Sequence, residues 1–565
     1  MAADLVIRGG LVVDGTGTRG RVADVAVAGG VVVEVGRFGG RGRREVCADG
    51  AVVAPGFVDI HTHYDGQATW DDSLAPSSAH GVTTVVAGNC GVGFAPVRQR
   101  DREQLVSLME GVEDLPGPVL HKGLTWEWTS FPEYLDHLDA RRWDVDLAAQ
   151  IVHSPIRLHV MGQRGADREP ATAADISAMG RLAAEGVVAG ALGFSTSRTA
   201  NHRTSAGEPI PTLDAERAEL VGIAEAIGAT GTGVLQVVSD FADLAHESET
   251  LLMMMRESGL PLSFSLTQSP RGGGYRPKLR LLERANAQGL EMRAQVAPRP
   301  VGILVGIQAT VNPLRSLPTY RSLDRALPLE RRAAMLAEAE PRRRLIAELT
   351  EAGVRFPLSR LYVLGNPPQY EPPPSHSAET LATVAGVPAV EWLVDALLAD
   401  DGRALLYLPF LNYVDGNLDA VREMLAHPNT VPGLGDGGAH VGTICDASFP
   451  TTLLTHWCRD RDGQRFDLPW AVQQQARATA ETVGLRDRGI IAPGYKADLN
   501  VIDFDRLQLR APHVATDLPG GGRRLLQAAD GYVHTFLSGV ETMSDGTPTG
   551  DRPGRLVRHQ RPDPC

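Results

Sequence analysis

Ala54 to Pro96 reads APGFVDIHTHYDGQATWDDSLAPSSAHGVTTVVAGNCGVGFAP. A short apolar run here ends in His-Thr-His, and a second apolar run ends in Asn-Cys-Gly. Phe57 to Ile60 reads as a buried strand, and alternation along it points His61 and His63 to one side. Neutral imidazole is the commonest metal ligand and suits zinc. Gly81 to Gly88 reads as a second buried strand, which places Cys90 beside the histidines if the two strands are parallel neighbours. An HxH pair alone is more often structural. Framed by Pro-Gly-Phe-Val-Asp and followed by a strand that ends in cysteine, it reads as a metal site.

Outward from this stretch the pattern is strand then helix, repeated, which implies a parallel sheet. The predicted strands are 57–62, 82–89, 147–153, 191–196, 233–238, 261–267, 291–297 and 431–436, eight in all, as in a closed (β/α)8 barrel. Helices are expected at 101–110, 173–185, 214–229, 246–258 and 376–399. The stretch from about 298 to 400 is too long for one connection and reads as an inserted lid subdomain. Gly272-Gly273-Gly274 is a flexible loop without the following GK[ST] of a phosphate-binding loop. Both chain ends carry short β-rich runs, too few at either end for a stable sheet. The fold expected is therefore α/β: a barrel over 57–485 and a small β-sandwich made of 1–56 plus 486–565.

Composition narrows the function. With 565 residues, a net charge of −13 and no basic run, the chain lacks the clustered cations that nucleic acid requires. No apolar stretch is long enough for a membrane span, and the first residues lack a basic region followed by an apolar core, so a cytoplasmic protein is expected. The five cysteines are scattered, unlike a disulfide framework.

Sites in such barrels lie where the strands end. The polar residues at those ends are His61, His63, Cys90, His153, Ser195 to Arg198, Gln236, Gln268 and Asp436, the last delivered by an apolar strand into Gly437-Gly438-Ala439-His440.

The landmarks PGFVDIHTH, GVTTVVAGNCGVGFAPV, GALGFSTS, Asp436 and the closing PGYKADLNVID resemble the amidohydrolase superfamily, and within it the N-acyl-D-amino-acid deacylase branch, over nearly the whole length. The resemblance implies a sandwich plus barrel, zinc, and hydrolysis of a small-molecule amide. Much of the superfamily bridges two metals with a carbamylated lysine on the fourth strand; the deacylase branch uses a cysteine from the second, and Cys90 matches it. The branch adds zinc-binding histidines from the fifth and sixth strands, the latter within Ser-His-x-Lys. This chain has Gln236 and Leu266 at those places. The expectation is one zinc ion on His61, His63, Cys90 and Asp436, an activated water, and Asp436 as general base and then acid. His153 is expected to assist the oxyanion, and Arg198, His202, Gln236, Gln268 and His440 to face substrate. The branch's H-P-R arginine is replaced by His440-Val441-Gly442, leaving Arg198, Arg203 or Arg276 to hold a substrate carboxylate. Two other readings stay open: a single-metal relative catalysing elimination or ring closure, and a metal-free binding relative. The oligomeric state is open too, a homo-oligomer included.

Overall fold

The computed structural model describes residues 3–269 and 274–564, so Gly272 and Gly273 of the expected loop lie outside the described residues. Its centre is parallel β-structure. Phe57–Asp59, Val82–Ala87 and Asp146–Ala149 pair in that order in one sheet. Ile151–Val152, Phe194–Arg198, Leu235–Ser239, Leu262–Leu266, Met292–Val296 and Thr430–Pro432 pair in sequence in another. Only Gln150 separates Ala149 from Ile151, so the two sheets share one continuous chain segment. At the other edge, His63 N–H donates to Gly437 O at 2.7 Å and Asp436 N–H to His61 O at 2.9 Å, tying the extension of the last strand to that of the first. These strands are largely buried because helices such as Arg102–Glu113, Ala173–Ala189, Arg217–Gly228 and Leu244–Ser258 return the chain between them.

Three expectations needed correction. Asp436 does not end a strand: pairing stops at Pro432, and Leu434 and Asp436 take left-handed conformations (φ 62° and 48°) that no ladder accommodates. His153 is the first residue of the helix His153–Met161 rather than a strand terminus. The helix expected over 376–399 is two, Ala378–Ala385 and Ala389–Leu398, broken by Gly386 at φ 70° and by Pro388.

The insertion runs beyond residue 400. Leu406–Leu411 returns antiparallel to Val301–Val305, and Tyr362–Val363 completes a small sheet. Val305, Leu314, Leu336, Leu345, Leu393 and Leu397 give this segment a core of its own. The two chain ends meet in one nine-stranded sheet, where Val52–Pro55 pairs antiparallel with Leu499–Ile502 over Leu5, Ile7, Val25, Val53, Leu499 and Phe536. The last residues leave it: Val557 N–H donates to Leu147 O and Arg561 N–H to Gly484 O, so the tail runs under the parallel strands. Among the described residues no single helix is long and apolar enough to cross a membrane.

His80, in the turn before Val82–Ala87, joins the two regions. Its Nδ1 lies 2.9 Å from Thr451 Oγ1 and its Nε2 3.0 Å from Gln527 O. A carbonyl only accepts, so Nε2 carries the proton and Nδ1 accepts from the threonine, leaving a neutral, fully buried ring. Burial pulls its pKa from 6.5 down to about 3. With the folded value below the unfolded one, the unfolded chain takes up the proton first. The stabilisation is complete above about pH 6.5 and is lost as pH falls toward 3, at up to about 1.4 kcal/mol per pH unit. His80→Gln should therefore lower Tm at neutral pH yet flatten its decline between about pH 6.5 and 4. A decline as steep as in the wild type would show that His80 does not set the acid limit.

Candidate functional site

His61 and His63 lie just past the first strand, where backbone bonds to Val86 and Gly437 hold Thr62 and His63 on either side. Tyr134 OH donates to Asp65 O and pins the end of the same loop. Cys90 sits in a left-handed turn (φ 56°), flanked by Asn89, whose amide donates to Thr62 O and Val86 O, and by Gly91. A Cβ on Gly91 would stand 2.9 Å from the Thr196 Cα, so only glycine lets this turn press against the neighbouring strand. Cys90 and Asp436 (φ 48°), two residues other than glycine held in left-handed backbone, both lie against His61. Such strain persists where the surroundings over-determine it, as functional sites do.

Three donor atoms converge, and a carboxylate oxygen stands beside the two imidazoles. His61 Nε2 lies 3.4 Å from Cys90 Sγ and 3.4 Å from Asp436 Oδ1, and His63 Nε2 lies 3.5 Å from the same oxygen. Ligands about 2.0–2.3 Å from a tetrahedral zinc ion stand roughly 3.3–3.7 Å apart. The spacing matches. His61, His63 and Cys90 are all buried and their ligating atoms lie within 4.8 Å of one another. The Asp436 side chain, 17% exposed against 1–2% for the two imidazoles, is nearest the opening.

The electrostatics of the cluster are those of acidic groups around two imidazoles. Burial alone would push the Asp436 carboxyl up, but the two imidazoles, 3.4 and 3.5 Å from its Oδ1, hold it well below the usual carboxylate range. Burial would likewise keep His63 neutral, yet Glu113, Asp436 and Cys90 raise it well above an ordinary imidazole. Burial lowers His61 to about 4 and raises the Cys90 thiol to about 12. Asp436, Glu113 and Cys90 surround the two imidazoles with acidic groups. A divalent ion would supply the opposing charge and favour the thiolate.

Comparison with known sequences bears on what such a pocket belongs to. The sequence profile of the Amidohydrolase family matches residues 44–362 and 374–548. The chain belongs to the amidohydrolase family. Among its relatives, a D-aminoacylase of Alcaligenes xylosoxydans xylosoxydans is 27% identical over 560 residues, covering 98% of this chain and 97% of that protein. An N-acyl-D-glutamate deacylase of the same organism is 27% identical over 566 residues, covering 98% and 96%. A crystal structure of D-aminoacylase superposes with a TM-score of 0.65 at 25% identity over 98% of this chain and 100% of that one. A second D-aminoacylase structure, described for one-metal activation and second-metal attenuation of its binuclear centre, gives 0.64 at 25% identity with the same coverage.

Elsewhere in this amidohydrolase the expected residues separate. His440 is at the cluster: its N–H donates to Glu113 O and its Nε2 lies 3.7 Å from Glu113 Oε2. His202 is held by Ser197 Oγ at 2.9 Å, and burial pulls its pKa to about 3, helped by the charges of His440 and His63. Gln236 is buried, and neither of its amide atoms has a hydrogen-bond partner among the described residues. His153 is not available for an oxyanion. Its Nδ1 is 2.8 Å from Thr196 Oγ1 and its Nε2 2.9 Å from Glu219 Oε1, in a buried network that also takes in Arg157. Gln268 spends its amide on Asp415 Oδ2 and Val414 N–H, tying its loop to the returning insertion rather than facing the cluster. Arg198 is bound to Glu247 and the Ala215 carbonyl, Arg276 to Glu423, and the exposed Arg203 to Gly207 O.

Two residues at the cluster are absent from the sequence expectations. Glu113, the last residue of its helix, is 3.3 Å from His63 Nδ1; its place depends on a helix end and carries no local sequence signal. Gln295 Oε1 is 2.7 Å from His61 Nδ1. In the strand Met292–Val296 alternation sets Gln295 on the same side as Arg293, so nothing local marks it as the partner of His61.

Proposed function

We propose that this amidohydrolase cleaves the amide of an N-acyl D-amino acid or a related amide, using one zinc ion held by His61, His63, Cys90 and Asp436. The reading places the parallel strands in a closed (β/α)8 barrel, with the nine-stranded sheet region forming the flanking sandwich and 298–411 a lid. The observation that carries it is the clustering of the His61, His63 and Cys90 donor atoms within 4.8 Å of one another, with Asp436 Oδ1 3.4–3.5 Å from both imidazoles and three chemical types suited to zinc. Its family and its likeness to D-aminoacylases over 98% of the chain support the class of reaction.

When bound, zinc polarises a carbonyl and acidifies water. The chain does the rest. Both histidines face Asp436 Oδ1, which leaves Oδ2 to take the proton of the attacking water and return it to the leaving nitrogen. His440 and His202 lie beside this carboxylate and orient the substrate. Gln236, in the position where the resemblance places a histidine, offers an amide in place of an imidazole, and Leu266 offers no donor. The charged set therefore suits one ion.

Arg198 and Arg276 are already paired with carboxylates, and Arg203 lies exposed on the Gly207 carbonyl. This supports an amide whose binding does not depend on an arginine clamp. The test is elemental analysis of the chain purified without added metal, followed by assay on a panel of N-acyl D- and L-amino acids and their uncharged amides. One zinc per chain with amide release is expected. Stoichiometric zinc without hydrolysis of any member would favour the elimination or ring-closure reading, and a folded chain without metal would favour a binding relative.

A further inference from the structure

Behind His61, on the side away from Cys90 and Asp436, stands Gln295. It is 1% exposed, and its side chain makes two directed contacts. Oε1 lies 2.7 Å from His61 Nδ1, and Nε2 donates to Ser263 Oγ at 3.0 Å. The backbone closes over it: a Cβ on Gly433 would stand 2.9 Å from the Gln295 Cβ, so the glycine leaves the amide room but no latitude. An amide can be read either way round, and a serine hydroxyl, which both donates and accepts, fits either. On the one-ion reading His61 offers its Nε2 lone pair toward Cys90 and Asp436, so the neutral ring carries its proton on Nδ1. Nδ1–H then donates to the amide oxygen of Gln295, which leaves the amide nitrogen to donate to Ser263 Oγ.

We infer that Gln295 is a positioning residue that sets the tautomer and the ring angle of His61 for metal binding, with Ser263 holding the amide in its working orientation. The inference rests on the one-ion reading above. Outer partners of this kind fix the ligand's tautomer and raise its basicity. The two histidines of the pair are served differently. His63 has the carboxylate of Glu113 3.3 Å from its Nδ1, whereas His61 has a neutral amide. One carboxylate behind the pair already adds negative charge to a buried pocket that holds Asp436. A neutral acceptor behind the other ring orients it without adding to that charge.

The experiment measures zinc dissociation constants of the full chain by competition with a chromophoric chelator, together with the visible spectrum of the Co2+ form. Gln295→Met keeps the volume and removes the acceptor; it is expected to weaken zinc by about 10–100-fold and to alter the Co2+ bands. Gln295→Glu restores an acceptor at the same place, with Ser263 turning to donate, and is expected to bind zinc at least as tightly as the wild type. Ser263→Ala frees the amide to rotate and is expected to weaken zinc about fivefold, the worth of one hydrogen bond. Gln295→Met binding zinc like the wild type would overturn the inference while leaving the metal site standing. So would Gln295→Glu weakened as much as Gln295→Met, because the packing of the side chain would then matter rather than its acceptor. If Gln295→Met does not fold, the other two variants decide: unchanged binding in Ser263→Ala with tenfold loss in Gln295→Glu overturns it. A wild-type chain that takes up no zinc removes the reading beneath it.

Discussion

Replacing Asp436 by asparagine is expected to lower kcat by about 10²–10⁴-fold, the range associated with a positioned acid–base group. Asparagine is the informative substitution because position 436 has φ 48°, and asparagine enters the left-handed region as readily as aspartate. The backbone and the side-chain shape are thereby kept, and the charge and the proton-accepting oxygen are lost. Both imidazoles face Asp436 Oδ1, at 3.4 and 3.5 Å, so an amide there also weakens the hold on the ion. Zinc content therefore has to be measured with the rate. The expected result is a rate loss that persists at saturating zinc. A variant with kcat within about tenfold of the wild type under those conditions would take Asp436 out of the proton transfer.

Cys90→Ala is expected to weaken zinc binding by about 10²-fold or more. A structural zinc site of four ligands is worth roughly 10–16 kcal/mol, or about 3 kcal/mol per ligand, and about 1.4 kcal/mol is tenfold. Alanine has the same Cβ as cysteine, so the left-handed turn at φ 56° is no more strained than before, and the change reports on the sulfur alone. Burial holds the free thiol at about 12, so a thiolate here depends on the cation. The variant should also lose preference for zinc over harder ions such as Mg2+ and Mn2+, because the remaining donors are imidazole and carboxylate. Chelator competition with each ion reads both effects. Wild-type affinity and wild-type selectivity in Cys90→Ala would place the ion away from the sulfur.

His440 and Glu113 illustrate how the site was assembled from parts of unequal legibility. His440 follows Asp436 by four residues and could be read from the chain, but its partner could not. Glu113 ends a helix more than 300 residues away in sequence, and no property of Leu105 to Val112 says which side of that helix end meets the histidines. Similarly, His153 looked like a strand-end ligand by position. Glu219 and Thr196, contributed by other elements, engage both of its nitrogens and turn it into a structural residue.

The chain by itself determined the parallel strand and helix succession, the HxH pair, the cysteine after the second strand and the aspartate near the last, because each is written in a local pattern of apolar runs and the polar residues that end them. Local periodicity states which face of a strand a residue occupies. Only the tertiary structure decided which residues share the cluster: Glu113 and Gln295 entered it, whereas His153, Gln268 and Arg198 were engaged by partners elsewhere. The physical reason is that a buried polar group is defined by its hydrogen-bond partner, and those partners come from segments that meet only when the strands close ranks.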